Sequence, residues 1–381
     1  MIPVVLDYET LRVLWWLLLG VLLIGFAIMD GFDLGAGALL PFVARNDGER
    51  RVVLNTVGPV WEGNQVWLIT GAGAIFAAWP PLYAVSFSGF YLAMLALLLA
   101  LILRPVGIKF RSKIPDARWR TWWDWAVFVA GAVPSLIFGV AVGNALEGVP
   151  FSFDPDMHVA YSGSLIELLN PDAVLCGLVS LSMIVMQGGA WLAVKTDGAV
   201  AARARSAALV AAVATIVLFA VGGFATSLID GYRFVVPAVT DGASNPLAKE
   251  VAREPGFWLT NYTLMPWMMI APALGFLGAS TAALLLWHGR PGLAFIGSSF
   301  AIFGIIATAG VSMFPFLLPS SSVPNHSLTV WDASSSQNTL WVMLIAAVIL
   351  VPIILAYTAW VYRVMWGKVT DAQVKGNDAS Y

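Results

Sequence analysis

The sequence is poor in charge, cysteine and histidine. Of its 381 residues, 11% are charged and 59% are hydrophobic, whereas about 25% of the residues in an average soluble domain are charged. The formal net charge of −2 excludes the Lys/Arg surplus that a nucleic-acid-binding protein needs. Because so little charge leaves long apolar runs, the composition predicts a polytopic membrane protein rather than a soluble enzyme.

The rare residue types also limit the chemistry of the chain. The single cysteine, Cys176, excludes an intrachain disulfide and a cysteine-based zinc or iron–sulfur site within this chain. The three histidines, His158, His288 and His326, fall in loops or at span ends, whereas haem is usually held by histidines. The sequence also lacks a P-loop, an HExxH helix and a nucleophile elbow. It therefore predicts that this chain binds no metal or cofactor directly and has no catalytic residue of its own.

Charge-free runs predict the membrane spans, since about 20 apolar residues cross a hydrocarbon core of roughly 30 Å. The run from Gly63 to Leu103 would be about 60 Å long as one helix, so it must turn at Trp79-Pro80-Pro81, where proline disfavours helix. The sequence thus predicts nine spans. They cover about residues 13–42, 57–79, 82–103, 125–146, 173–194, 206–229, 258–287, 292–314 and 339–362.

The basic residues predict the orientation. Short cytoplasmic loops of membrane proteins hold an excess of Lys and Arg. Of the 20 basic residues, 16 fall on one side of the predicted spans, and only Arg12, Arg233, Lys249 and Arg253 fall on the other. The N-terminus is therefore expected outside and the C-terminus inside. Residues 1–369 are expected to form one integral-membrane domain, and residues 370–381 a flexible cytoplasmic tail.

Five charged side chains fall within or at the ends of predicted spans, where ionisable groups usually mark ion or proton pathways. They are Asp30, Asp33, Glu62, Arg104 and Asp124. Asp30 and Asp33 are three residues apart and share a helix face, and Glu62 and Gln65 repeat that spacing on the next span. The spacing predicts carboxylates and amides clustered in the inside half of the membrane, with Arg104 at the entrance.

Three interpretations of these residues remain open. The cluster can conduct protons, with Asn64 adding an amide. Alternatively, Asp33, Glu62 and Arg104 form a buried ion-pair network that only fixes helix packing. The glycines of the DGFDLGAG stretch permit close helix approach and fit both interpretations. A secondary transporter is the third, because intramembrane carboxylates and interrupted helices are typical of that class.

Several long segments carry a resemblance to a known family. They are GFAIMDGFDLGAGALLPF, RNDGERRVVLNTVGPVWEGNQVWLITGAGAIFAAWPPLYAVSFSGFY, RPVGIKFRSKI, RWRTWWDW, VGNALEGVPF, MFPFLLPSS and SLTVWDASSSQNTL. They occur in family order over essentially the whole chain, which resembles subunit II of the bacterial cytochrome bd quinol oxidases. The resemblance implies an all-α fold of nine transmembrane helices, with two four-helix bundles and one peripheral helix, in the bacterial cytoplasmic (inner) membrane.

The resemblance also implies the partners and cofactors of the chain. A subunit I is expected to hold two b-type haems and one d-type haem, to oxidise quinol on the outer side and to reduce oxygen to water without pumping protons. This chain would stabilise that partner. Small single-helix subunits and membrane lipid are further candidate partners, and a structural quinone is a candidate ligand of this chain.

Site residues follow from the same resemblance. Cytoplasmic protons are expected to pass Glu62 and Asp33 on the way to subunit I, with Arg104 and Asp30 on the same path. Some relatives have Asp in place of Glu62, which keeps a carboxyl group on a shorter arm. A purely structural assembly subunit, with no part in proton transfer, remains the alternative.

The resemblance does not fix the residues of a quinone pocket. Trp61, Trp67 and Phe87 are candidates to line it, and packing is the competing role for each.

Overall fold

The computed structural model describes residues 4–375 and consists mainly of helices. The α-helices are α1 Tyr8–Val43, α2 Asp47–Val57, α3 Trp61–Ala78, α4 Pro80–Gly89, α5 Tyr91–Phe110, α6 Ala117–Glu147, α7 Pro171–Lys195, α8 Gly198–Thr226, α9 Thr260–Leu264, α10 Ile270–Trp287, α11 Pro291–Met313, α12 Gln337–Val364 and α13 Asp371–Lys375. Short 3-10 helices cover Arg111–Lys113, Glu167–Leu169, Phe257–Leu259, Pro266–Met269 and Pro324–His326.

Within residues 4–375, eight helical segments are long and apolar enough to cross a membrane. They correspond to α1, α5, α6, α7, α8, α10, α11 and α12, with the 3-10 turns that adjoin α5 and α10. Helix α3, which covers the second predicted span, has only 18 residues and is not among the eight. Its first turns contain Glu62, Asn64 and Gln65, which lower its mean hydropathy. The chain is thus a polytopic membrane protein, and the count of nine spans stays a prediction.

The third predicted span is divided in two. Helix α3 ends at Ala78 and α4 begins at Pro80, as the Trp79-Pro80-Pro81 break predicts. The helix is then interrupted again at Phe90, between α4 and α5. At this second break the chain passes close to an outer loop, because a Cβ atom on Gly89 would lie 2.7 Å from the ring of Tyr161. Periodicity alone did not indicate this break.

Helix α1 is central and packs against α3, α6, α7, α11 and α12. It approaches α7 closely, because a Cβ atom on Gly35 would lie 2.1 Å from the backbone oxygen of Ile184. On the partner helix, a Cβ atom on Gly188 would lie 2.3 Å from the backbone carbon of Gly35. Only glycine permits this crossing, so the expectation that the DGFDLGAG stretch allows close helix approach is confirmed.

The remaining helices form two groups around α1. Helix α6 packs on α1, α5 and α7, while α7, α8, α10 and α11 form a closed ring of neighbours. Helix α12 contacts α1 and α3, and most of its residues are exposed. The bilayer or a partner subunit must therefore cover α12.

Three antiparallel β-hairpins modify the expected all-α fold. They are β1 Phe151–Phe153 with β2 Val159–Tyr161, β3 Asp230–Phe234 with β4 Val251–Pro255, and β5 Phe316–Leu318 with β6 Leu328–Thr329. All three lie in segments predicted to be outside loops. Long loops must satisfy their backbone N–H and C=O groups, and strand pairing does so locally.

Arg12 ties the start of α1 to these outer loops. Its side chain is fully buried and donates hydrogen bonds to Ser334 Oγ at 2.8 Å, to the Thr240 backbone oxygen at 2.6 Å and to the Gly242 backbone oxygen at 3.0 Å. Its guanidinium carbon also lies 3.5 Å from the ring centroid of Tyr8. A buried guanidinium needs such partners because it stays charged.

Part of the predicted tail is helical. Helix α13 packs against α2, and Val374 is buried. Residues 376–381 lie outside the described residues. The flexibility of the tail therefore stays a prediction. Within the predicted tail, residues 371–375 form a helix.

Candidate functional site

Two helices bring opposite charges together inside the membrane region. Asp30 and Asp33 of α1 and Arg104 of α5 are all buried, with exposed fractions of 0%, 2% and 3%. Arg104 Nη1 donates to Asp30 Oδ1 at 2.7 Å. The sequence placed Arg104 at the end of a span, but α5 continues to Phe110, so the guanidinium lies within the helix pack rather than at its entrance.

Asp33 is held by neutral side chains from two other helices. Its Oδ2 accepts a hydrogen bond from Asn64 Nδ2 of α3 at 2.8 Å. Asn64 Oδ1 in turn accepts from the hydroxyl of Tyr362 on α12 at 2.7 Å. The predicted cluster therefore exists for Asp30, Asp33, Asn64 and Arg104. Tyr362 was missed because a tyrosine near the end of a span is typical of the membrane interface.

Several polar atoms of the cluster lack a partner in the protein. They are Asp30 Oδ2, Asp33 Oδ1, Arg104 Nε and Nη2, and Trp61 Nε1, all of which are buried without a hydrogen-bond partner within residues 4–375. Asp33, Trp61 and Arg104 line one cavity between α1, α2, α3, α5 and α6, with room on the order of one water molecule. Buried polar groups nearly always find a partner, so this cavity is suited to water.

Glu62 does not join this cluster, contrary to the expectation that it shares a face with the buried groups. Its side chain is 63% exposed and accepts from Lys109 Nζ at 2.6 Å. The reason is helical geometry. Residues 62 and 64 are separated by about 200° around a helix axis, so with Asn64 turned toward Asp33, Glu62 faces away.

Trp61 lies between the buried cluster and the exposed ion pair. The guanidinium carbon of Arg104 is 5.3 Å from the centroid of its ring, and Lys109 Nζ is 5.9 Å from it. The indole is itself buried. Trp61 thus separates Glu62 and Lys109 from Arg104.

Asp124 belongs to a different network, at the predicted inside surface. Arg111 Nε lies 2.6 Å from Asp124 Oδ1, and Arg50 Nη1 lies 2.8 Å from Asp124 Oδ2. Asp47 extends the network by pairing with Arg111 and Arg120. These pairs join α2 to α6 and to the turn before α6.

The other candidates for the quinone pocket lie away from the cavity. Trp67 packs against α1, because a Cβ atom on Gly25 would lie 2.5 Å from its ring. Phe87 stacks on Tyr83 with ring centroids 4.1 Å apart. Of the three candidates, only Trp61 borders the cavity.

The three histidines lie outside the helix pack. His158 is exposed and pairs with Asp154 at 2.8 Å, and His288 is exposed after α10. His326 Nδ1 accepts a hydrogen bond from the backbone N–H of Phe153 at 3.0 Å. All three histidines are therefore placed in turns or loops, outside the spanning helices of the described chain.

One small group has the donor types of a metal site. Asp154, Asp156 and His158 have ligand atoms within 4.8 Å of one another, and all three are exposed. Asp154 Oδ1 already accepts from the backbone N–H groups of Asp156 and His158. These hydrogen bonds close a turn, and the turn accounts for the proximity of the three side chains.

Fold and site together define a polytopic membrane protein that buries a carboxylate–guanidinium cluster among its helices. The particular family follows from comparison with known proteins, because the model of cytochrome bd terminal oxidase subunit II matches residues 11–365. The chain belongs to that family, so it is subunit II of a bd-type terminal oxidase, an oxidoreductase of a bacterial membrane. Such an oxidase contains a partner subunit I and haem.

Individual relatives agree with this assignment. The chain is 51% identical over 378 residues to cytochrome bd-I ubiquinol oxidase subunit 2 of Escherichia coli (strain K12), which covers 98% of this chain and 99% of that protein. It is 32% identical over 367 residues to cytochrome bd ubiquinol oxidase subunit 2 of Bacillus subtilis (strain 168), and the match covers 96% of this chain and 98% of that protein. The bd oxidase of Geobacillus thermodenitrificans shares the fold, with a TM-score of 0.70 at 18% identity over 93% of this chain and 98% of that chain. The family resemblance of the sequence is thus confirmed.

Proposed function

We propose that this chain is the haem-free subunit of a quinol-oxidising complex in the cytoplasmic membrane, and that it supplies part of the cytoplasmic proton path to its haem-bearing partner. The observation that carries the proposal is the buried cluster of Asp30, Asp33 and Arg104 beside a water-sized cavity. Charged groups within a bilayer are costly and usually functional.

The two carboxylates are suited to different tasks. Asp30 is bonded directly to Arg104, so it holds the guanidinium in place. Asp33 is bonded to a neutral amide, lines the cavity, and keeps Oδ1 free of protein partners in the described chain. Asp33 is therefore the group that exchanges a proton with water in the cavity.

Glu62 is the entry group of this path. It lies on the exposed side of α3, paired with Lys109, and Trp61 stands between this pair and Arg104. A proton that enters at Glu62 must pass Trp61 to reach Asp33. The step needs water at Trp61, whose Nε1 is a buried donor without a partner in residues 4–375.

The same face of α3 is the surface for subunit I. Its exposed residues include Glu62, Gly63 and Thr70 as well as apolar Val66 and Ile69. Lipid hydrocarbon is a poor environment for a carboxylate, so a protein partner must cover this face. Protons delivered to Glu62 would then pass along the junction between the two subunits.

The haems belong to subunit I in this proposal, two of b type and one of d type. The support is that no histidine in residues 4–375 lies inside the helix pack. A structural quinone stays a prediction without an assigned site, because the cavity at Trp61 fits water rather than a quinone ring. Small single-helix subunits would occupy exposed faces such as that of α12.

The membrane arrangement completes the proposal. Helix α3 is the ninth span, covered by subunit I and therefore free to be less apolar than the other eight. The N-terminus is outside and the C-terminus inside, with two four-helix bundles and α12 at the periphery. In a Cys176→Ser background, a cysteine at the exposed Ala117 should react with a reagent added from the inside, and a cysteine at the exposed Ala243 with one added from the outside.

A purely structural role is the second candidate, and the direct Asp30–Arg104 bond favours it. A buried ion pair fixes helix register whether or not protons move. Family membership favours either role in an oxidase over the transporter alternative.

The test is Asp33→Asn combined with Glu62→Gln in the assembled oxidase. Oxygen consumption should fall at least tenfold, since both carboxyl groups of the path are removed, while the reduced-minus-oxidised haem spectrum stays unchanged. Glu9→Gln is the matched control, because Glu9 accepts from Thr240 Oγ1 on the exposed outer side. Normal turnover in the double variant would disprove the proton path, and loss of haem would favour the structural role.

A further inference from the structure

Two arginines that have no acidic partner among residues 4–375 lie on the predicted inside face, where α8 meets the turn between α10 and α11. Arg205 is in the first turns of α8, and Arg290 directly precedes α11; both are exposed. Arg205 extends over the turn, because a Cβ atom on Gly289 would lie 3.2 Å from its Nη1. Neither arginine has an ion pair or a side-chain hydrogen bond among the residues the structure describes.

This pair differs from four paired arginines of the same face. Those arginines are paired with carboxylates of the chain: Arg50 and Arg111 with Asp124, Arg120 with Asp47, and Arg203 with Glu49. The described part of the chain therefore leaves the positive charge at Arg205 and Arg290 available to an anion.

The surface around the two arginines has a rigid base. Leu286 of α10 is fully buried and packs with Ala208 of α8 and Ala294 of α11. Ala208 lies three residues after Arg205, and Ala294 four residues after Arg290. The packing of three helices thus fixes where both arginine side chains begin.

An exposed apolar surface continues from the arginines toward the middle of the membrane. Trp287 and Leu284 of α10 are 74% and 59% exposed, and Leu293 and Ile296 of α11 are 51% and 52% exposed. A tryptophan near basic residues at a span end is typical of the level of the lipid headgroups. The aliphatic side chains beyond it would face acyl chains.

We propose that this surface binds one anionic phospholipid, with its phosphate at Arg205 and Arg290 and its acyl chains against Leu284, Leu293 and Ile296. Guanidinium groups bind phosphate oxygens in a bidentate manner, and basic pockets between spans on the cytoplasmic side are suited to acidic headgroups. The positive charge complements an acidic headgroup, and the adjoining apolar surface complements acyl chains. The assignment to the cytoplasmic leaflet rests on the proposed orientation.

Lipid retention by the purified oxidase complex tests the proposal. Native mass spectrometry would be used to titrate phosphatidylglycerol into the wild type and into Arg205→Gln/Arg290→Gln, and the affinity of the tightest site should fall about 30-fold in the variant. Lys113→Gln/Arg118→Gln removes the same charge from another exposed inside segment and should leave that affinity within about twofold. The affinity of Arg205→Lys/Arg290→Lys should lie between the affinities of the two glutamine variants.

Two further arms separate the possible ligands. Phosphatidylcholine should bind at least tenfold more weakly than phosphatidylglycerol, and excess inorganic phosphate should not displace the lipid. Equal losses in the two glutamine variants, equal binding of the two lipids, or displacement by phosphate would each overturn the proposal. An unchanged haem spectrum shows that each variant is assembled. Both faces are accessible in detergent, so an inverted orientation would fail the cysteine-labelling test and leave this result unchanged.

Discussion

Arg104 and Asp30 form a fully buried ion pair, with 2.7 Å between Nη1 and Oδ1. The pair joins α1 to α5 and stands next to Asp33, which has no cationic hydrogen-bond partner in the described chain. The cluster therefore combines one neutralised carboxylate with one that borders a cavity. This asymmetry decides which substitutions should affect stability and which should affect turnover.

Breaking the ion pair should destabilise the complex. Arg104→Gln leaves Asp30 as an uncompensated buried charge, and such changes cost about 3–5 kcal/mol. Asp30→Asn should cost a similar amount, but the double variant should cost clearly less than the sum, because neither charge is left unpaired. The stability of each variant is measured by the temperature at which the complex loses its haem spectrum. Additive effects of the two substitutions would show that the two groups are not coupled.

Helix α1 cannot accept a larger side chain where it crosses α7. In Gly35→Ala the new Cβ atom would meet the backbone oxygen of Ile184 at 2.1 Å, so the helices must separate, at a cost of about 1–3 kcal/mol or more. Gly20→Ala on the same helix is the control, because a Cβ atom there meets nothing within 4 Å. Reduced yield and a lower melting temperature are expected for Gly35→Ala alone. Equal behaviour of the two variants would contradict the crossing.

The outer loops should be less stable in acid because of His326. Burial and the nearby Lys249 ammonium lower the pKa of His326, and its Nδ1 accepts from the backbone N–H of Phe153. The unfolded chain then binds more protons than the folded one below about pH 6.5. The contribution of His326 to stability is therefore fully present above that pH. It is lost as the pH falls toward the lowered pKa of His326 in the folded protein.

Comparing His326→Asn with the wild type measures this contribution. Asparagine retains an acceptor for the backbone N–H but does not titrate. The decrease in melting temperature between pH 7.5 and pH 5.5 should be smaller in the variant than in the wild type. The same decrease in both would exclude His326 as its source.

Haem should depend on the partner subunit. A reduced-minus-oxidised spectrum of this chain purified alone should show no haem bands, because His158, His288 and His326 all lie outside the helix pack. The same chain purified with subunit I should show b-type and d-type bands. Haem bands in the isolated chain would overturn the proposed division between the subunits.

Much of the fold was predictable because a bilayer imposes simple rules on a sequence. Charge-free runs located the eight apolar spans, and Trp79-Pro80-Pro81 marked a real helix break. The interruption at Phe90 was not predicted, and it lies where Tyr161 of a distant loop approaches Gly89. The β-hairpins were missed because residues in polar loops pair according to tertiary contacts rather than local periodicity.

The site was predictable in part for similar reasons. The three-residue spacing correctly placed Asp30 and Asp33 together, and the cost of membrane charges singled out Arg104. Spacing within α3 could not show which of its faces turns inward, so Glu62 was expected in the place that Asn64 occupies. Tyr362 reaches the cluster from a helix almost 300 positions later in the chain, and no local pattern indicates such a contact.

The most direct test of the central claim is time-resolved proton uptake when the fully reduced oxidase reacts with oxygen. In Asp33→Asn, uptake from the inside should slow at least tenfold, while oxygen binding and the haem spectrum match those of the wild type. Asp7→Asn, at the exposed N-cap of α1, is the control and should behave like the wild type. Proton uptake at the wild-type rate in Asp33→Asn would contradict the proposal that this carboxyl group carries protons.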